Sequence, residues 1–146
     1  MSDAETFRVK GRVLAIDYGA KRVGLALSDP MQIIATPYKT IPNDEILIQT
    51  LLTIIKEEEV SAVILGDPMN DEGSAGDVRK KIFEFKAQLE TAIGKEVALW
   101  DERFSSSIAS ERIIQSVKGK HKRRDKSLID KNAAAVILEE YLASLS

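Results

Sequence analysis

Residues 13–19 read Val13-Leu14-Ala15-Ile16-Asp17-Tyr18-Gly19, four apolar residues followed by an acid, an aromatic residue and a glycine. A short apolar run that ends at turn-forming residues is typical of a buried β-strand. Asp17 stands where this strand leaves the core. A carboxylate there can hold a metal or orient a phosphate, but it can also simply open a turn, because Asp and Gly are common after strands.

This run belongs to the first of several predicted extended segments, and the others follow it. Arg12 to Asp17 and Arg22 to Ser28 are two strand-like runs joined by a short turn, which predicts a β-hairpin. A third extended segment follows at Ile33 to Ile41. Two later apolar runs predict further strands, at Ser61 to Leu65 and at Glu96 to Trp100.

Helices are predicted between and after the later strands. The first begins near Pro42-Asn43-Asp44, and the second begins after the 70–77 segment and ends at Gly94. The third begins at Ser105 and runs through Ile113 and Val117, and the fourth begins near Ser127 and ends at Leu142. This order predicts an α/β fold. Its five-stranded mixed sheet has antiparallel strands 1–3 and parallel strands 4 and 5, with helices on both faces. No repeat or linker interrupts residues 1–146, so we expect a single domain.

The composition narrows the chemistry that the chain can perform. There is no cysteine and only one histidine, His121, which excludes disulfides and thiolate zinc sites and leaves oxygen-ligated Mg²⁺ or Mn²⁺ as the expected metals. The apolar stretches are only a handful of residues long, and residues 1–12 are polar and charged. We therefore expect a cytoplasmic protein without a signal peptide or membrane partners.

Charge is distributed unevenly along the chain. The net charge of −2 does not by itself indicate a nucleic-acid-binding protein. However, residues 118–126 contain six cations and one acid, whereas negative charge is concentrated in Glu57-Glu58-Glu59. A basic run of this kind is either a solvated loop or a phosphate-binding segment, and the second reading needs a catalytic site nearby. Lys122, Arg123 and Arg124 are its candidates for holding a nucleic-acid backbone.

Asp130 is predicted to face the protein interior. Ala133, Ala134 and Ile137 lie three, four and seven residues after it and therefore share its helical face. A carboxylate buried there needs a cation or hydrogen-bond donors, because burying it bare is costly or forces protonation. The alternatives are a first-turn acid favoured by the helix dipole and a pair with a neighbouring lysine.

Asp101 and Glu102 end the last predicted strand. Side chains alternate along a strand, so these two carboxylates point to opposite faces and only one is expected to meet Asp17; the sequence does not say which. Arg103 could neutralise either of them as an ordinary surface pair. Three converging carboxylates would repel one another. Two divalent ions about 4 Å apart would relieve this repulsion, activate a water and stabilise the leaving oxygen of a phosphodiester.

Four motifs stand in order along nearly the whole chain. They are Ile16-Asp17-Tyr18-Gly19-Ala20-Lys21-Arg22-Val23-Gly24-Leu25-Ala26, Leu65-Gly66-Asp67-Pro68-Met69-Asn70 with Gly73-Ser74, Asp101-Glu102-Arg103-Phe104-Ser105, and Ile129-Asp130-Lys131-Asn132-Ala133-Ala134. Together they closely resemble the YqgF-like family of bacterial proteins assigned as Holliday-junction resolvases. The resemblance implies a ribonuclease-H-like fold and a cytoplasmic role in processing the 5′ end of precursor 16S ribosomal RNA. It also implies that Asp17 and Asp130 are metal-binding aspartates, with the third acid supplied by Asp101-Glu102.

The sequence departs from the family pattern in three places. The usual Gly-Leu-Pro is Gly66-Asp67-Pro68, the usual Asn-Met-Asp-Gly is Asn70-Asp71-Glu72-Gly73, and Asp-Glu-Arg is followed by Phe-Ser-Ser rather than Leu-Thr-Thr. We expect these changes to add negative charge beside the cleft while leaving the acidic positions intact.

These observations lead to the expectation of a metal-dependent nuclease with a two-metal Mg²⁺ or Mn²⁺ site. Its catalytic and metal-binding residues would be Asp17, Asp101, Glu102 and Asp130, and its substrate contacts would come from Lys21, Arg22, Arg103, Lys122, Arg123 and Arg124. Cations on a turn are equally explained as solvated side chains. The expected substrate is nucleic acid, either precursor rRNA or branched DNA, and ribosomal particles are further candidate partners. We expect a monomer or a weak homodimer.

Three other functions remain open. A Holliday-junction-resolving DNA endonuclease would require two active sites and hence a dimer. An ATPase of the actin-like or sugar-kinase type also has an Asp-Gly phosphate loop on its first hairpin, but it needs two such domains across a cleft. A catalytically silent nucleic-acid-binding module would keep its affinity without metal and without the carboxylates.

Overall fold

The computed structural model describes residues 11–67, 75–101 and 126–145. Their elements are β1 (Arg12–Tyr18), β2 (Arg22–Ser28), β3 (Ala35–Pro42), α1 (Leu47–Glu57), β4 (Val60–Asp67), α2 (Ala75–Ile93), β5 (Ala98–Asp101) and α3 (Lys126–Ser144). The helix predicted from Ser105 through Val117 lies outside these ranges. None of the helices within them combines the length and apolar character that crossing a bilayer requires.

The five strands form one mixed sheet in the order β3-β2-β1-β4-β5. The pairs β1–β2 and β2–β3 are antiparallel, whereas β1–β4 and β4–β5 are parallel. The predicted α/β topology is therefore confirmed. β1 has a neighbour along both edges, and Val13 through Ile16 are fully buried, which explains why this strand is a continuous apolar run rather than an alternating one.

Two hydrophobic clusters lie on opposite faces of the sheet. Consecutive side chains of a strand point to opposite faces. Accordingly, Leu14 and Ile16 pack with α1 and α2, while Val13 and Ala15 pack with α3. The helices contribute Leu47, Leu51, Ile54, Ile82, Phe85 and Leu89 to the first cluster, and Ala134, Ile137 and Leu138 to the second. Helices thus cover both faces, as predicted.

The start of α1 differs from its prediction. The segment Pro42-Asn43-Asp44 does not begin a helix, because β3 runs through Pro42, which pairs with Arg22 of β2. A proline at the end of an edge strand removes no ladder hydrogen bond that the sheet needs. The Asp44 side chain then accepts a hydrogen bond from the Ile46 N–H at 3.1 Å, so a turn separates β3 from α1. The predicted end of α2 is confirmed, since Gly94 adopts a φ of 73°, the usual conformation after a helix.

Candidate functional site

Acidic residues lie where three strands end. Asp17 is next to last in β1, and Asp67 and Asp101 are the last residues of β4 and β5. Because β1, β4 and β5 are parallel, their carboxyl ends lie at one edge of the sheet. The β1–β2 turn, which contains Lys21 and is followed by Arg22 at the start of β2, lies at this same edge.

Asp17 lies on the face of the sheet that α3 covers. It follows Ala15 by two residues, and Ala15 packs in the cluster formed with α3. Its register partner on β2 is Gly24, so no side chain stands directly opposite the half-buried carboxylate. Asp130 belongs to the N-terminal part of α3, the helix on this same face. The Asp130 side chain lies outside the described part, and its predicted inward orientation stays a prediction.

Asp101 lies on the other face of the sheet, beside Asp67. Leu99 packs with the α1 and α2 cluster and Trp100 packs with the α3 cluster, so alternation puts Asp101 on the face of Leu99. The register of the parallel pair also sets Asp101 next to Asp67. The sheet therefore separates Asp101 from Asp17.

Trp100 has a structural role. Its ring packs edge-on against Tyr141 of α3, with centroids 5.7 Å apart. Its indole N–H donates to a carboxylate oxygen of Glu140 at 3.1 Å. These contacts attach the end of β5 to α3.

Asp67 forms an ion pair with Arg79 that the sequence alone does not predict. The Asp67 residue is only 4% exposed, and its two carboxylate oxygens accept hydrogen bonds from Nε and Nη2 of Arg79, both at 3.0 Å. This two-point contact raises the pKa of Arg79, first through the hydrogen bond and then through the charge of Asp67. The negative charge of Asp67, which was expected beside the nucleic-acid cleft, is instead paired with Arg79 on the α2 face of the sheet. The sequence signal was an acid in place of the family's leucine, but its partner is twelve residues away.

Asn43 holds the β1–β2 turn in place. Its side-chain amide donates to the carbonyl of Gly19 at 2.7 Å, and its backbone N–H donates to the carbonyl of Lys21 at 3.0 Å. A Cβ on Gly19 would lie 2.5 Å from the carbonyl oxygen of Arg22, so this position requires glycine. The turn thus presents an exposed Lys21 and a half-buried Arg22 near Asp17 on a fixed backbone.

The remaining predicted site residues lie outside the described residues. They are Glu102, Arg103, Lys122, Arg123 and Arg124. Among the side chains that the structure describes, which do not include those of Glu102 and Asp130, no three acidic or imidazole groups cluster closely enough to bind a metal ion. The complete metal site and its basic loop therefore stay predictions.

Sequence comparison identifies relatives along nearly the whole chain. Residues 11–144 match the family model described as "RuvX: Holliday junction resolvase". A protein of Dictyoglomus turgidum named "Putative pre-16S rRNA nuclease" is 40% identical over 138 residues, which cover 92% of this chain and 96% of the relative. A protein of Maridesulfovibrio salexigens with the same name is 38% identical over 134 residues, covering 90% and 98% of the two chains.

Structural comparison finds the same fold in two resolvases. Thermus thermophilus RuvC in complex with a Holliday junction substrate aligns with a TM-score of 0.59 at 14% identity, over 93% of this chain and 96% of that one. The fowlpox virus resolvase in complex with Holliday junction DNA aligns with a TM-score of 0.50 at 12% identity, over 92% and 98%. At such identities the likeness concerns the fold alone, and it confirms the ribonuclease-H-like fold. With this fold and with the match over residues 11–144, the chain belongs to the RuvX family of nucleases.

Proposed function

We propose that this protein is a metal-dependent nuclease that processes the 5′ end of precursor 16S rRNA. The observation that carries the proposal is the position of Asp17, at the end of the central strand and on the face covered by the helix that contains Asp130. The names of the relatives from Dictyoglomus and Maridesulfovibrio support a precursor rRNA as substrate. The proposed place of action is the cytoplasm.

Glu102, rather than Asp101, is proposed to complete the acidic site with Asp17 and Asp130. Asp101 is the register neighbour of Asp67 on the face of α2, so the sheet stands between it and Asp17. Alternation along β5 favours the next residue for the face of Asp17. The sequence alone leaves this choice open, and the register of β4 with β5 supports Glu102.

The donor chemistry fits Mg²⁺ or Mn²⁺. Carboxylate oxygens are the ligands that these hard cations prefer, and the chain has no thiolate to favour a softer metal. Gly24, the register partner of Asp17 on β2, adds no side chain beside the carboxylate, where a directly opposed Cβ would lie only about 5 Å away. A pair of such ions held by Asp17, Glu102 and Asp130 would supply Lewis acidity at the scissile phosphate and lower the pKa of the attacking water.

The cations of the chain are proposed to orient the nucleic acid. Lys21 and Arg22 lie on the turn that Asn43 holds in place, so their charges are presented near Asp17 with a fixed backbone. Positioning a phosphate for in-line attack is the contribution that such fixed cations make. Arg103 and the 122–124 segment are proposed to contact the nucleic-acid backbone at phosphates further from the scissile one. Ribosomal particles remain candidate partners, and a monomer or weak homodimer remains the proposed state.

Cleavage assays with three substrates test this function. Labelled precursor 16S RNA, a four-way DNA junction and a single strand are incubated with the wild-type protein in Mn²⁺, in Mg²⁺ and in EDTA. We expect cutting of the precursor RNA that EDTA abolishes. Cutting of the junction alone would favour the Holliday-junction alternative, which the fold shared with two junction-bound resolvases keeps open. Binding in EDTA without cutting of any substrate would identify a silent binding module and overturn the proposal.

Paired variants test the choice of the third acid. Glu102→Gln is expected to slow cleavage by at least about 100-fold, because a metal ligand contributes several kcal/mol to transition-state stabilisation. Asp101→Asn is the matched control next to it in sequence, and we expect it to slow cleavage by less than about tenfold. The opposite order of the two effects would assign the metal to Asp101.

A further inference from the structure

A cleft of about 390 Å³ opens between the β1–β2 turn and α2, at the edge of the sheet where the acidic strand ends lie. Part of its lining is aromatic: the half-buried ring of Tyr18 packs against the ring of Phe85, with centroids 4.6 Å apart and planes inclined by 33°. Phe85 is itself only 4% exposed, so Tyr18 is the ring that this lining can present to a ligand. The rest of its lining is mainly polar or charged and includes Asn43, Lys81, Glu84 and Gln88. Its size lies within the range of small-ligand sites, roughly 300–1,000 Å³.

This lining suits a nucleobase. The ring of Tyr18 can stack on the face of any base, and the side-chain amide of Gln88 can both donate and accept hydrogen bonds at a base edge. Lys81 offers a cation to a phosphate, and Glu84 can accept from an exocyclic amino group. Within the described residues, Lys81, Glu84 and Gln88 form no side-chain hydrogen bond or ion pair. Their polar groups are therefore not engaged by that part of the protein.

Tyr18 places this cleft next to the proposed catalytic position. Asp17 and Tyr18 are consecutive, so their Cα atoms are about 3.8 Å apart and their side chains point to opposite faces of the sheet. A nucleic-acid strand with a phosphate at Asp17 must turn over the edge of the sheet before its neighbouring base can reach Tyr18. A paired and stacked base cannot make this turn unless it leaves its duplex, whereas an unpaired base can.

We infer that the cleft lined by Tyr18, Lys81, Phe85 and Gln88 binds the base of an unpaired nucleotide next to the scissile phosphate. This inference rests on the proposed nuclease function and deepens it, because it makes the protein selective for single-stranded segments or for strands that fray at the cleavage site. The base contact is independent of the metal, which allows binding and cleavage to be tested separately.

Binding of fluorescent single-stranded RNA in EDTA tests the inference. The RNA spans the cleavage site of the precursor, and a set of otherwise identical RNAs carries one abasic nucleotide at successive positions. For the wild-type protein, we expect a single abasic position next to the cleavage site to weaken binding roughly tenfold. For Gln88→Ala, which removes the contact at the base edge, we expect weaker binding of the intact RNA and a smaller further loss at that abasic position. For Lys81→Ala, which removes a phosphate contact, we expect weaker binding of every RNA in the series by the same factor.

Lys80→Ala is the matched control, because Lys80 is an exposed neighbour on α2 that does not line this cleft. It is expected to keep the wild-type response to the abasic series. The inference is overturned if every abasic position weakens binding equally, if Gln88→Ala binds the intact RNA and the abasic series as the wild type does, or if the RNA does not bind. Metal-dependent cleavage that persists with any of these results leaves the proposed function standing, whereas base-specific binding without any cleavage removes that function and keeps the cleft.

Discussion

Asp67 illustrates how a single buried charge is accommodated at the end of a strand. Its carboxylate is almost fully removed from water, and the two hydrogen bonds from Arg79 replace those that water would provide. Because β4 ends at Asp67 beside the end of β5, this ion pair fixes the strand end from which Glu102 continues. We therefore assign Asp67 and Arg79 a structural role next to the site rather than a catalytic one.

Removal of one partner of this pair is expected to destabilise the fold more than removal of both. Arg79→Met leaves the Asp67 carboxylate buried without its guanidinium, whereas Asp67→Leu combined with Arg79→Met leaves two apolar side chains of similar volume. Urea unfolding should show a lowered midpoint for Arg79→Met and a midpoint for the double variant closer to that of the wild type. A double variant as unstable as Arg79→Met would contradict the role given to the pair.

Asp29, which follows the other end of β2, makes the stability of the fold depend on pH. Its carboxylate accepts backbone N–H groups of Ile34, Ile33 and Met31, and these bonds, the one from Ile34 above all, hold its pKa below the ordinary value of 3.8 against the opposing effect of desolvation. A carboxylate with a lowered folded-state pKa stabilises the fold above its unfolded pKa and loses this contribution as the pH falls through the folded value. Wild type should therefore exceed Asp29→Asn in urea stability at neutral pH. This difference should shrink below pH 3.8, and a constant difference would refute the assignment.

The periodicity of the elements explains what could be predicted from the sequence. Strands and helices can be predicted from local patterns, such as the apolar run of β1 and the helical spacing of Ile82, Phe85 and Leu89. The order of the elements follows from these patterns. The predicted start of α1 was wrong because the pairing of Pro42 with Arg22 extends β3, and strand pairing is not a local property of the sequence. For the same reason, neither the face of Asp101 nor the partner of Asp67 can be read from spacing. Both depend on which strands and helices meet in the folded chain.

Packing between α3 and the sheet gives a prediction about volume. Ala134 is fully buried in the cluster that also contains Val13, Ala15 and Ala26, and these small side chains allow a close approach of helix and sheet. Ala134→Leu should lower the free energy of unfolding by about 1–3 kcal/mol, because the added methyl groups have no space. Ala143→Leu, at an exposed position of the same helix, is the control and should have little effect. Equal stabilities of the two variants in urea would show that this interface is loosely packed.

At the scale of the whole molecule, the sheet separates two kinds of contact with the substrate. Asp17 belongs to the face of α3, where the other proposed metal-binding acids are expected, whereas the proposed base-binding cleft and the Asp67–Arg79 pair belong to the face of α2. The β1–β2 turn lies between them at the sheet edge, and Asn43 fixes its backbone. A substrate strand that crosses this edge would contact both faces.

Metal binding should stabilise the whole fold. A ligand that binds only the native state adds about 2.7 kcal/mol of stability at a concentration 100 times its Kd, so Mn²⁺ should raise the melting temperature of the wild-type protein. Asp17→Asn should remove this increase, because it deletes a proposed metal ligand. Differential scanning fluorimetry over a Mn²⁺ series measures both effects. An equal rise in the variant would show that the ion binds elsewhere.

The central claim is that Asp17 is a metal-binding catalytic residue, and the single-turnover rate of precursor 16S RNA cleavage tests it most directly. The rate is measured in Mn²⁺ for the wild type and for Asp17→Asn, with circular dichroism to verify the fold and with RNA binding in EDTA to verify substrate contact. We predict that the variant folds, binds the RNA and cleaves it at least about 100-fold more slowly. A folded Asp17→Asn variant that cleaves the RNA at the wild-type rate would contradict the assignment.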